Sequence, residues 1–399
     1  MKRFFYKYKV APVIFTLVLS FGIFGLSLFL QKEKPIVASN LTDLHVAQYS
    51  DQNITPNAID KDSRFERLVF ATPQKDSANY MPDQFATALR AFKMLFTSEI
   101  EKTQEEYGTW VWTPILQMTD EYMNEIVLGA EREDINTIYL SIDSYLDIYV
   151  LPEGSLKQEK RNEFMATLDK FLTLAKEKKI AVDAEAGWRN WAEPGHTYKP
   201  LAILNFVKEF NATSRIGFRG LQYDIEPYLL PEYKASDGGK KVVLQRFLKL
   251  VDHSVYYLKD QDLKFSVVVP DFYDKRDKMT PKFEYQGKKD FAFKHLLNIL
   301  EERSGSSIII MSYRNFAEGK DGSISVSANE LKTTKRGRFS SNIIIAQEVG
   351  NVLPPYITFH NTSKEYFSAE VGKLRSSFAT HRNFQGLAIH YANPYLELK

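Results

Sequence analysis

From residue 108 onward, short runs of consecutive apolar residues alternate with longer amphipathic stretches. The runs fall at 109–113, 136–143, 180–187, 220–226, 264–271, 307–314, 342–348 and 385–391. Helical periodicity lies between most of them, as over 161–178, 240–259, 291–302 and 364–380. Ile308-Ile309-Ile310 and Ile343-Ile344-Ile345 are apolar at successive positions, as strands covered on both faces must be. The strand starts are about 39 residues apart, room enough for the crossover that parallel neighbours require. Eight βα repeats over 108–399 predict a (β/α)8 TIM barrel, an α/β fold of about 250 residues in its usual form. A doubly wound sheet is the competing arrangement of the same elements.

The first 107 residues follow other patterns. Lys2, Arg3, Lys7 and Lys9 precede residues 10–30, 21 positions without a charge, and Lys32 and Lys34 follow. A helix of that length spans roughly 30 Å, one hydrocarbon core. It exceeds the apolar stretch of about 7–15 residues in a cleaved signal. Residues 1–34 are therefore expected to form a basic cytoplasmic end and a transmembrane signal-anchor, with the N-terminus inside. Residues 35–62, polar and aperiodic, predict a flexible tether. Residues 63–107, with helical spacing over 82–106, predict an N-terminal extension packing on the barrel. The membrane is then a partner through residues 10–30, and the barrel is expected outside the cytoplasmic membrane.

Composition narrows the chemistry. The chain of 399 residues carries 52 basic and 50 acidic side chains, so no net basic field points to nucleic acid. With no cysteine, disulfides, thiolate metal sites and cysteine nucleophiles are excluded. The seven histidines form no H-x-x-x-H or H-E-x-x-H pair, and phosphate loops and G-x-S-x-G elbows are absent. No cofactor or metal is expected.

In a barrel of this kind, chemistry sits at the C-terminal strand ends. Strand 4 alternates, with Leu221, Tyr223 and Ile225 on one face and Gln222, Asp224 and Glu226 on the other. If the apolar set meets the helices, three polar side chains point into the barrel, where unpaired carboxylates are costly. Asp224 and Glu226 on one face repel, which pushes one of them toward the protonated form a general acid needs. Strand 3 contributes Asp183 and Glu185, strand 6 ends in Tyr313-Arg314, strand 7 in Gln347-Glu348, and strand 8 in Tyr391. Salt bridges are the structural alternative, with Arg314 or Arg189 neutralising Asp183, Glu185 or Glu348. The four tryptophans lie on strand 1 (Trp110, Trp112) and after strand 3 (Trp188, Trp191), where indole faces suit sugar rings. At least one of Trp110 and Trp112 is expected in the core. His390, on strand 8, is expected to play a hydrogen-bonded structural role, with lining of the cleft as the alternative.

Phe-Arg-Gly220-Leu-Gln-Tyr-Asp224-Ile-Glu226 resembles the strand-4 signature D-G-x-D-x-D-x-E of the chitinase-like glycoside hydrolases of family 18. Met311-Ser-Tyr313 is similar to that family's strand-6 Met-x-Tyr. Arg219 and Gln222 stand where the family has its first two aspartates, and Arg314 where an acid or amide is usual. The resemblance implies a substrate-assisted reaction on an N-acetylated sugar. Glu226 would protonate the leaving oxygen, Asp224 would orient the acetamido group, and Tyr313 would hydrogen-bond it. Gln222, Trp112, Trp188, Trp191, Asp183, Glu185, Arg314 and Tyr391 would contact substrate. A second enzymatic reading makes Glu226 the acid and Glu348 the nucleophile, as in retaining glycosidases with acids on strands 4 and 7. The expectation is thus a membrane-anchored glycoside hydrolase acting on an envelope or exopolysaccharide chain. The alternative is a catalytically inactive barrel that binds glycan.

Overall fold

In the computed structural model, residues 105–274 and 280–399 are described. Eight parallel strands close into one barrel in sequential order: β1 Glu106–Val111, β2 Thr137–Ser141, β3 Ala181–Ala186, β4 Gly220–Tyr223, β5 Lys264–Pro270, β6 Ser307–Met311, β7 Asn342–Glu348 and β8 Phe384–His390. The crossovers are α1 Asp120–Arg132, α2 Ser155–Glu177, α3 Tyr198–Thr213, α4 Asp237–Tyr257, α5 Ala292–Leu300, α6 Ser323–Arg336 and α7 Lys364–Phe378. A last helix, α8 Ala392–Glu397, follows β8. The architecture is the (β/α)8 barrel and not the doubly wound sheet.

Local signals fix the helix starts. Thr119, Ser236 and Ser363 each accept a main-chain N–H in the first turn of α1, α4 and α7. Asp120 and Glu121 open α1 and Arg132 closes it, as the helix dipole favours. The doubly apolar strands divide between two cores. Ile308, Ile310, Ile343 and Ile345 face the helices, while Ile309 and Ile344 face the barrel axis with Trp110, Tyr139, Val268, Ala346 and Ala388. That division is why successive positions are apolar.

Two features depart from the sequence pattern. β1 begins at Glu106, so Glu106 and Tyr107 belong to the barrel and not to a preceding extension. Between β5 and α5 an antiparallel ribbon pairs Phe283–Tyr285 with Lys288–Asp290. Gln286 and Gly287 both take positive φ there, the geometry a two-residue hairpin turn demands. Among the described residues no helix is long and apolar enough to cross a membrane. The expected span at 10–30, the tether at 35–62 and nearly all of the extension lie outside them.

Candidate active site

Strand parity sets which side chains line the barrel, and the register between strands sets their depth. Ser141, Glu185 and Gln222 lie level across β2, β3 and β4. Two residues further along, the inward positions are Asp143, Gly187 and Asp224, with Glu226 beyond. Gly187 is bare between its acidic neighbours, and a Cβ there would come within 2.4 Å of the Asp224 carbonyl oxygen. Its main-chain N–H donates to Asp143 Oδ2 at 3.3 Å.

Four carboxyl groups thus meet at the C-terminal ends of three adjacent strands, and they are under-satisfied. Asp143 Oδ1, Asp224 Oδ1 and both oxygens of Glu185 are buried without a hydrogen-bond partner. Burial disfavours the charged forms, and close carboxylates add to the effect. Asp143 is pushed up to about 7, chiefly by burial. Asp224 is pushed up to about 8 by burial and then by Glu226. Glu185 lies well above the carboxylate range through burial, Asp143 and Asp224. Burial also raises Glu226, against the opposing pull of Tyr228, His390 and Arg189. The Tyr228 hydroxyl donates to Glu226 Oε1. Near neutral pH this wall of the mouth holds protons and can deliver one.

The opposite wall is built differently. Glu348, at the end of β7 and 3% exposed, accepts from His390 Nδ1 at 2.7 Å and from the Gly350 N–H at 2.6 Å. Gly350 must be bare, because a Cβ would stand 2.9 Å from Glu348 Oε1 and 3.3 Å from the Tyr391 ring. The Trp112 indole N–H reaches His390 Nε2 at 3.2 Å, and the Tyr313 ring stacks on the imidazole at 6.0 Å. Trp112, Tyr313 and Tyr391 are half-buried above the inner core, leaving aromatic faces at the mouth. Among the described residues no group of three or more His, Asp or Glu side chains is set to hold a metal ion.

The remaining expected residues lie elsewhere. Asp183 sits at the N-terminal end of the interior, where Arg219 binds it at 2.8 and 2.5 Å. Gln222 is fully buried and accepts the Trp110 indole N–H at 2.6 Å. Trp191 is 1% exposed, packed edge-on against Tyr223 behind the sheet. Substrate contact is withdrawn for these three. Glu185 has no exposed surface and acts on the site only through Asp143 and Asp224. Trp188 is half-buried under the Arg189 guanidinium. Arg314 binds Asp321 at 3.1 Å and the Tyr313 carbonyl at 2.7 Å, and its guanidinium stands 3.9 Å from Asp271 at the end of β5, so its ion pairs are with these two acids and not with Asp183, Glu185 or Glu348. The charge of Arg189 acts on Glu226, opposing the rise that burial causes.

Two residues of the site, Asp143 and Tyr228, are missed by the sequence reading. Asp143 continues the inward parity of Tyr139 and Ser141, a signal available in the alternation of strand 2. His390 is hydrogen-bonded, as expected, to Glu348 and to Trp112, and these partners place it at the mouth. Tyr228 carried no sequence signal, since only the turn after Glu226-Pro227 aims it back.

No protein-family model and no curated protein matches the chain. Solved structures do. A β-mannanase from the blue mussel Mytilus edulis aligns over 74% of this chain and 90% of its own, at 12% identity and a TM-score of 0.45. A GH18 chitinase from Pseudoalteromonas aurantia aligns over 73% and 97%, at 11% identity and 0.46. A D-psicose 3-epimerase from Clostridium cellulolyticum H10 aligns over 73% and 89%, at 8% identity and 0.40. At such scores these similarities add nothing to the barrel topology already described.

Proposed function

We propose that the chain is a glycoside hydrolase whose general acid is Glu226. Its substrate class is an envelope polysaccharide or exopolysaccharide containing N-acetylhexosamine. The barrel works outside the cytoplasmic membrane, tethered through residues 10–30. The observation that carries this reading is the half-buried Asp224–Glu226 pair at the mouth of the barrel, both with raised proton affinity, with the Tyr228 hydroxyl donating to Glu226. Cleaving a glycosidic bond needs a proton for the leaving oxygen at near-neutral pH, and this pair keeps one available.

In the substrate-assisted route, Glu226 gives its proton to the leaving oxygen as the C1–O bond breaks. The carbonyl oxygen of the 2-acetamido group, oriented by Asp224, bonds to C1, and water then opens the ring intermediate. Tyr313 stands within the same aromatic group at the mouth. A second route is favoured by one observation. Glu348 ends β7 and is held by two hydrogen bonds, as a carboxylate that attacks C1 itself must be.

A panel of N-acetylated and unacetylated polysaccharides, incubated with the full-length chain and with Glu226→Gln, separates the readings. Reducing ends released only from N-acetylated polymers, and lost in the variant, support substrate assistance. Release from unacetylated chains assigns the nucleophile to Glu348. Polymer bound without release, equally by both proteins, replaces the hydrolase with an inactive glycan-binding barrel.

A further inference from the structure

Three hydrogen bonds run in series on the wall facing the acid pair, and their donors leave one arrangement of protons. An indole N–H can only donate. Trp112 therefore donates to His390 Nε2 at 3.2 Å, and that nitrogen carries no proton. The ring proton then lies on Nδ1, which donates to Glu348 Oε2 at 2.7 Å. The Gly350 N–H takes the other carboxylate oxygen at 2.6 Å. Rings enclose the imidazole on its remaining sides, with Tyr313 stacked and Trp110 and Tyr391 edge-on.

Charge around this ring pulls the other way. Burial disfavours the imidazolium, but Glu348, Asp224 and Glu226 outweigh it and favour a second proton. That proton would have to sit on Nε2, where it would meet the Trp112 N–H head-on. The indole donor thus opposes the Glu348 carboxylate directly, and Asp224 and Glu226 as far as they are ionised.

We infer that Trp112 holds His390 as the Nδ1–H imidazole, and that His390, a positioning residue, thereby fixes the Glu348 carboxylate across the mouth from Glu226. Only the catalytic use of that fixed carboxylate rests on the glycosidase reading. The clamp itself is a matter of tautomer and hydrogen bonding, and it can be read without any substrate.

The test is 15N NMR of the full-length chain labelled at histidine, with the His390 signals identified by their loss in His390→Asn. At pH 7 the expected pattern is a protonated Nδ1 and an unprotonated Nε2. The Nδ1–H proton is expected to shift in Glu348→Gln. In Trp112→Phe the imidazolium should persist at least one pH unit higher, a tenfold gain in proton affinity. Imidazolium at pH 7 in the wild type, a titration unmoved by Trp112→Phe, or an Nδ1–H unmoved by Glu348→Gln each overturns the clamp. With any polysaccharide the wild type cleaves, His390→Asn keeps an N–H donor and should hold kcat within about tenfold, whereas His390→Phe should lose about 100-fold in kcat with little change in KM. Equal losses in the two variants overturn the positioning role. The expected resonances in a chain that cleaves nothing sink the hydrolase reading while the clamp stands.

Discussion

Two layers of the same barrel bury acidic side chains and treat them in opposite ways. At the N-terminal end, Arg219 spans Asp183 and Glu106, binding the first at 2.8 and 2.5 Å and the second at 3.0 and 3.2 Å. Tyr139 adds a hydroxyl to Glu106 at 2.6 Å, and Thr137 accepts the spare guanidinium N–H at 3.2 Å. At the C-terminal end, Asp143, Glu185 and Asp224 leave buried oxygens with no partner and sit well above their ordinary proton affinities. The layer between them is a plug of Trp110, Tyr139 and aliphatic side chains. The difference teaches that burial alone does not mark a functional acid. A buried carboxylate bound by a guanidinium is a strut, and one with no cation in hydrogen-bond contact is a store of protons.

The comparison can be broken from either end. Glu226→Gln should remove about 10²–10⁴-fold of the hydrolytic rate. The unfolding midpoint should stay where it was, as kinetics and denaturant titration on one preparation would show. Arg219→Leu should do the reverse. It strands Asp183 and Glu106 in the interior at a cost of about 3–5 kcal/mol in unfolding free energy, with little change in the activity of the molecules still folded. Gln222→Leu, in the layer between, leaves the Trp110 N–H buried and unpaired, a loss of about 1–3 kcal/mol by the same titration.

The smallest effect sharpens the contrast through pH. Asp143 and Asp224 bind protons more tightly folded, at about 7 and about 8, than unfolded, at 3.8. The native state therefore carries the extra protons between pH 4 and pH 8, and stability falls as pH rises through that window. Glu185→Gln removes one member of the cluster and should flatten the fall. Its Tm should rise by roughly 2–4 °C at pH 8 and hardly at all at pH 5, as thermal scans would measure. A fall in Tm at pH 8 would mean that Glu185 is a strut after all.

The barrel was legible because burial on two faces writes itself as runs such as Ile343-Ile344-Ile345, and because each run was followed by room for a helix. Strand 4 was also read correctly as to side: Gln222 lies within the barrel, and Asp224 and Glu226 follow it at the mouth. What the alternation could not supply was depth. Asp183 and Glu185 share one face of β3, yet one meets Arg219 at the floor and the other lies beneath the mouth. Depth depends on the register Ser141–Glu185–Gln222, set by ladders between segments about 40 residues apart. Distance from the sheet was equally hidden: Trp191 looked like a cleft residue, and the turn at Arg189–Ala192 folds it behind β4. For His390 the pattern offers a hydrogen bond without its partners, Glu348 on the adjacent strand and Trp112, 278 positions away, which only the closed barrel brings to the ring.

β1 has a consequence beyond the placement of Glu106. It is gripped on one flank by β2 through 108–111 and on the other by β8 through 106–109. The seam is tightened where Gly386, lacking a Cβ that would come within 1.9 Å, lets the Glu106 carbonyl approach. Tyr107 meets the Tyr395 hydroxyl at 3.0 Å, and Arg375 meets Glu105 at 2.6 Å. A pull along the axis of β1 would therefore load both ladders in shear, all rungs together. A strand at an open edge would unzip rung by rung; this one is held along its length on both flanks.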